Sequence, residues 1–237
     1  MALKYLVRPF IFFDLGQTLI DEWSYVTYFD KLLFQTLNDY GARIDQRNYY
    51  TLRNDLVRNR KFGSSGFLEI ISLMVRLILP KGYDTVIFDA LKTDLLENKR
   101  KLVTLFSQVN YLIPLLSKKY SLGIISNNSS GSANLLVKND LDKHFKIVCL
   151  AEDIGFKKPH HKIFHKALLD SNSSIDNCIM VGDRLDIDIL PANELGMKTI
   201  RTLDSLYKIQ EPVNKKETPL YTIRSLSELP EILSRIS

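Results

Sequence analysis

The 237-residue chain predicts an α/β protein: a parallel sheet with helices on both faces and an all-helical block inserted after the first strand. Three observations predict this. Residues 9–13 (PFIFF) form a short aromatic and β-branched run that ends in Asp14, as a buried strand of about five residues would. Residues 22–101 then carry apolar side chains at helical spacing only. From residue 120 onward, strand-type and helix-type patterns alternate, which argues for parallel strands joined by right-handed crossovers.

Within the helical block, SYVTYFDKLLFQTL, YYTLRNDLV and LEIISLMVRLIL keep the helical period. Breaks fall at Tyr40-Gly41, Gly63-Ser64-Ser65-Gly66 and Pro80-Lys81-Gly82. The alternating region follows as strand YSLGIIS, helix GSANLLVKND, strand KIVCL, and helix HHKIFHKALLD opened by Pro159. Strand NCIMVGD, helix IDILPANELG and strand MKTIRT continue it, and a polar loop over 210–219 leads to strand YTIRS and a last helix, SLSELPEIL. The expected domains are a core over 1–20 and 102–237 and a helical insertion over 21–101. The insertion leaves the sheet at the carboxyl end of its first strand. Ligands of open α/β sheets bind at that edge, so the insertion is expected to form a lid.

Composition narrows the partners. Hydrophobic residues at 45% and charged residues at 25% are ordinary for a globular protein. The net charge of +5 suits a small anionic substrate. The basic residues are dispersed, and their densest stretch, 53–61, is broken by Asp55, so no nucleic-acid partner is expected. Cys149 and Cys178 lie in apolar runs and read as small buried hydrophobes, neither a zinc site nor a disulfide framework. The first apolar run stops at Asp14, too soon for a signal peptide or membrane span. A cytoplasmic monomer or homodimer without a membrane partner is the expectation.

The strand ends carry the chemistry. The first delivers Asp14, and the next delivers Ser126 followed by Asn127 and Asn128. The loop AEDIGFKKP brings Lys157 and Lys158, and NCIMVGD delivers Asp183 with Asp186 and Asp188 close behind. A carboxylate can attack an electrophilic centre and divide one hard step into two. Repulsion between that carboxylate and a phosphate requires a cation between them. Asp14 and Asp183 suit Mg²⁺, which needs few protein ligands. The Lys158 ammonium and the Ser126 hydroxyl suit phosphoryl oxygens.

These segments resemble the motifs of the haloacid dehalogenase (HAD) superfamily, in family order. FFDLGQTL is similar to D-x-D-G-T-L, IISN to the second motif, GFKKPHHKIF to the Lys-Pro motif and VGDRLDID to the acidic motif; PANELGM resembles the Ala-x-x-x-Gly segment beyond it. The resemblance covers residues 8–20 and 102–237. It implies a Rossmann-like core, a helical cap of the family's first type, and a phosphatase-like branch. By that resemblance Asp14 is the nucleophile, and Ser126 and Lys158 bind the phosphate; Asn127, beside Ser126, is a further candidate to bind the substrate. Asp183 is a Mg²⁺ ligand, and Asp188 is a metal-site acid acting directly or through water. Lys158 takes the lysine role because it directly precedes Pro159, which leaves Lys157 facing solvent.

One position departs from the pattern. Family phosphatases carry a second Asp two residues after the nucleophile, which protonates the leaving group and then activates water; here it is Gly16. Its carbonyl can still ligate Mg²⁺, but acid–base help of about 10²–10⁴-fold is absent, and the Gln17 amide does not supply it. Three readings fit: a phosphatase that is slow, selective for good leaving groups or supplied with an acid by the cap; a phosphonate or haloacid hydrolase relative; or a binding or regulatory protein with little turnover. The acidic fourth motif argues against the metal-free dehalogenases. In the cap, the loop 59–67 (NRKFGSSGF) makes Arg60 and Lys61, with Arg58 beside them, candidates to touch the substrate, with surface charge as the alternative. Trp23 and Tyr25 read as packing residues, and none of the four histidines is assigned a metal.

Overall fold

The computed structural model describes residues 8–64 and 66–236; Ser65 of the polar loop and residues 1–7 of the expected core lie outside that range. The chain runs β1 (Phe10–Phe13), β2 (Ile20–Asp21), then the helices α1 (Trp23–Asp39), α2 (Gln46–Arg58), α3 (Phe67–Ile78) and α4 (Tyr83–Leu102). After β3 (Thr104–Leu105) come α5 (Val109–Ser117), β4 (Ser121–Ser126), α6 (Ser130–Lys138), β5 (Phe145–Leu150), α7 (Ala151–Ile154) and α8 (His161–Ser171). The chain continues with β6 (Cys178–Gly182), α9 (Leu190–Leu195), β7 (Lys198–Thr202), β8 (Tyr221–Ile223) and α10 (Leu229–Ile236). No helix among the described residues is long and apolar enough to cross a membrane.

Six strands form one parallel sheet in the order β5-β4-β1-β6-β7-β8. β1 sits at its centre, with Phe13 in register with Ile124 on one side and Val181 on the other. All four residues of β1 are buried, as a parallel strand covered on both faces requires. The run of aromatic residues that marks β1 in the sequence is the pattern of such a strand. The order also reverses direction at β1, and the carboxyl edge beside such a point is where open sheets bind ligands. Against the sheet packs a core that includes Phe10, Phe12, Ile125, Ile163, Phe164 and Met180. Cys149 and Cys178 are buried free thiols in this core, and burial pushes each up to about 11, so they stay protonated and inert.

The chain divides into two compact units. One holds the described residues up to Ile20, then Leu105–Lys208 and the chain from Pro212; the other holds Asp21–Thr104 together with Ile209–Glu211. In the helical unit, α1 buries Tyr25, Val26, Phe29, Asp30, Leu33 and Leu37, a stripe at helical spacing. Its helices part where the sequence breaks, and Gly41, Gly66 and Gly82 all take positive φ there. Asp45 caps α2 by accepting from the Asn48 backbone N–H at 2.8 Å. The short segment Ile209–Glu211 is hydrogen-bonded into this unit: Gln210 Nε2 donates to the Val57 carbonyl and Arg60 Nη2 to the Glu211 carbonyl.

Candidate active site

Three carboxylates meet at the carboxyl edge of the sheet. Asp14 follows β1 directly, and its N–H extends the ladder by donating to the Val181 carbonyl at 2.9 Å. Asp183 follows β6 directly. Asp188 lies in a π-helical turn, Leu185–Ile189, of the kind that recurs at functional sites. Each of the three offers one ligand atom, and those atoms lie within 4.8 Å of one another; all three residues are buried.

Lys158 is fully buried, and its Nζ donates to Asp14 Oδ1 at 2.7 Å and to Asp188 Oδ1 at 2.5 Å. Burial alone would lower this lysine, but Asp14 and Asp188 more than offset it and raise it, which keeps the ammonium charged. Ser126, the last residue of β4, donates its hydroxyl to the same Asp14 Oδ1 at 2.9 Å. Burial pushes Asp183 well above the usual carboxylate range, and the like charges of Asp188 and Asp14 add to it against Ser205 and Arg184. Burial raises Asp188 too, with Lys158 opposing and Asp14 adding. If all three were ionised, the carboxylates would carry more negative charge than the single Lys158 ammonium neutralises. Such a donor set of hard, buried oxygens could hold a divalent cation.

The structure gives the remaining candidates different places. Asn127 has both ends of its amide on the Lys158 backbone: Lys158 N–H donates to its Oδ1 at 2.7 Å, and its Nδ2 donates to the Lys158 carbonyl at 3.0 Å. It fixes the lysine that carries the charge. Lys157 is exposed. Asp186 pairs with Arg184, whose guanidinium also lies 4.9 Å from the centre of the Tyr207 ring. Gly16 is half-buried in the turn after β1, where it bridges to Ile20. Arg60 and Lys61 belong to the helical unit; Arg60 reaches the Glu211 carbonyl at 2.7 Å, and Lys61 is exposed.

Several contributors were not foreseen from the sequence. The Ser205 hydroxyl donates to Asp183 Oδ2. Arg201 Nε donates to the Asp183 carbonyl at 3.2 Å. Gln17 has positive φ, and its Oε1 accepts from the Leu206 N–H at 2.6 Å. Gly182 is required by close packing, because a Cβ there would stand 2.6 Å from the Cβ and Cγ of Asp188. Only Gly182 had a visible signal, its place in VGD. Ser205 is an ordinary loop serine 22 residues from the carboxylate that it holds.

The model of the haloacid dehalogenase-like hydrolases matches residues 11–202, which takes in every strand-end residue of this cluster. The chain belongs to the haloacid dehalogenase-like hydrolase family. It is similar to the glyceraldehyde 3-phosphate phosphatase of Methanocaldococcus jannaschii, with 28% identity over 95% of this chain and 97% of that one. The glyceraldehyde 3-phosphate phosphatase of Pyrococcus furiosus is 31% identical over 95% of this chain and 92% of its own. Among solved structures, that of the HAD-hydrolase YfnB of Bacillus subtilis bound to magnesium is 22% identical. It superposes with a TM-score of 0.67 over 95% of this chain and 98% of its own. The parallel six-stranded core is thus the fold of this hydrolase family.

Proposed function

We propose that this hydrolase is a Mg²⁺-dependent phosphatase of small phosphomonoesters, acting through a covalent aspartyl-phosphate on Asp14. One observation carries the reading: Asp14, Asp183, Asp188, Lys158 and Ser126 converge at one sheet edge with the charge and hydrogen bonds that phosphoryl transfer uses. The phosphatase relatives along nearly the whole chain support it and make glyceraldehyde 3-phosphate the first substrate to test.

In this reading Asp14, Asp183 and Asp188 hold Mg²⁺, with the Gly16 carbonyl as a further ligand. When bound, the ion neutralises phosphate charge and draws electron density from the phosphoryl oxygens. Ser126 and Lys158 already converge on Asp14 Oδ1, which leaves Oδ2 to attack phosphorus. Asn127 keeps Lys158 in place while Ser126 and Lys158 turn toward the phosphoryl oxygens. The ester P–O bond breaks, and the leaving oxygen takes up a proton. Water then cleaves the aspartyl-phosphate, releasing inorganic phosphate and restoring the carboxylate. With Gly16 in place of the second Asp, that proton comes from solvent or from the substrate, so leaving-group acidity limits the first step. Residues 1–20 and 102–237 are the catalytic core in this reading. Residues 21–101 are the cap, with Lys61 and Arg60 as its candidates to touch an anionic substrate.

Phosphate release from a panel of phosphomonoesters, including glyceraldehyde 3-phosphate and p-nitrophenyl phosphate, tests the proposal with and without Mg²⁺. Metal-dependent release is expected. Mg²⁺ binding without release from any ester would replace this reading by that of a binding protein, which Gly16 alone favours.

A further inference from the structure

We propose that Ser205 is a positioning residue that sets the metal preference of the cluster, by occupying one oxygen of Asp183 and presenting the other. The inference rests on the reading of Asp183 as a metal ligand. Ser205 is fully buried in the loop after β7, and its hydroxyl has two partners of known direction. The Tyr207 backbone N–H donates to Ser205 Oγ at 2.9 Å. That bond uses the hydroxyl as acceptor, so its proton goes to Asp183 Oδ2.

The seat of Ser205 is itself held from two directions. The Leu206 N–H donates to Gln17 Oε1 at 2.6 Å, which ties the loop to the turn that follows Asp14. Arg201 Nη2 donates to the Tyr207 carbonyl at 2.7 Å, while its Nε donates to the Asp183 carbonyl. The hydroxyl is thus fixed relative to both carboxylate-bearing loops. Gln17 achieves this from a left-handed backbone conformation at the position where the family motif carries glycine, so this tie is a feature of this chain's own side chains.

The consequence is chemical. A carboxylate whose Oδ2 accepts from a fixed hydroxyl is biased toward meeting a cation through Oδ1. Single-oxygen ligation suits the small octahedral shell of Mg²⁺, whereas Ca²⁺ accepts two oxygens of one carboxylate and a larger, irregular shell. Without the hydroxyl, Asp183 is free to turn and offer both oxygens. Outer partners of metal ligands typically contribute about 10–100-fold in affinity.

The test is titration of the full-length chain with Mg²⁺ and, separately, with Ca²⁺, followed by calorimetry, for wild type, Ser205→Ala, Ser205→Cys and Ser205→Thr. Ser205→Ala is expected to lower Mg²⁺ affinity by about 10–100-fold and Ca²⁺ affinity by less, narrowing the Mg²⁺/Ca²⁺ ratio. Ser205→Cys, a weak donor, falls in between, and Ser205→Thr, which keeps the hydroxyl, restores the ratio. The ratio of two affinities in one sample does not depend on the folded fraction, so a merely destabilised variant leaves it unchanged. Wild type that binds no Mg²⁺ overturns the metal-site reading itself. Wild type that binds Mg²⁺, with an unchanged ratio in Ser205→Ala and Ser205→Cys, overturns the role of Ser205 alone.

Discussion

Asp14 Oδ1 accepts from Ser126 and from Lys158, so both donors act on the side chain that the proposed chemistry requires to be aimed and ionised. Asp14→Asn keeps the shape and one acceptor oxygen but removes the nucleophile. Phosphate release should fall by more than ~10³-fold with the circular dichroism spectrum unchanged; surviving turnover would remove Asp14 from its role. In the proposed mechanism Gly16 bears on the other end of the reaction. Wild type should hydrolyse p-nitrophenyl phosphate, whose leaving group needs no proton, far better than alkyl phosphates. Gly16→Asp should raise kcat on alkyl phosphates by about 10²-fold and change p-nitrophenyl phosphate turnover little. An equal change on both substrates would show that proton delivery is not what Gly16 lacks.

At the scale of elements, the helical unit contains a buried charge of its own. Asp30 of α1 accepts from the Tyr49 hydroxyl at 3.0 Å and pairs with Arg53 of α2, and Arg53 also lies over the Tyr50 ring. Burial raises the Asp30 carboxyl in spite of Arg53 and Tyr49, so desolvation outweighs what the pair returns. Removing one partner is a separate matter, because it leaves Arg53 with no buried counter-charge. Asp30→Ala should destabilise the α1–α2 packing by about 3–5 kcal/mol, seen as an earlier helical transition in urea; a loss under 1 kcal/mol would place the pair among the inconsequential ones. Asp30 was not singled out in the sequence, where it reads as one acid in an amphipathic helix. The strand-end acids were legible because each ends an apolar run. The helix breaks were legible because glycine and proline punctuate them. What escaped was whatever depends on distant loops: Ser205 on Asp183, Gln17 on Leu206, and Ile209–Glu211 lying with the helical unit. Asn127 was legible as a site residue by its place after Ser126, yet its partner, the Lys158 backbone 31 positions away, has no signature in the chain. No period or spacing encodes such contacts, since they arise only once the sheet order brings the loops together.

For the whole molecule, the proposed metal site predicts a link between stability and metal. Three buried carboxylates repel one another, Lys158 offsets part of the charge, and Asp183 is left well above the usual carboxylate range by burial and by its two acidic neighbours. The metal-free fold therefore carries a cost that the unfolded chain, with these groups apart and hydrated, does not. A divalent cation that binds the folded chain removes this cost and adds its own binding free energy. At a hundredfold excess over its Kd the ion contributes about 2.7 kcal/mol, a rise of about 5–10 °C in Tm for a chain of this size. Asp183→Asn removes one repelling charge and one ligand together. The variant should melt at or above the metal-free wild type and should no longer respond to Mg²⁺ over the same concentrations. Thermal melts of both proteins in EDTA and in Mg²⁺ measure the two effects independently. A wild type indifferent to Mg²⁺ would refute the metal site, whereas a Mg²⁺-stabilised Asp183→Asn would place the ion elsewhere than on Asp183.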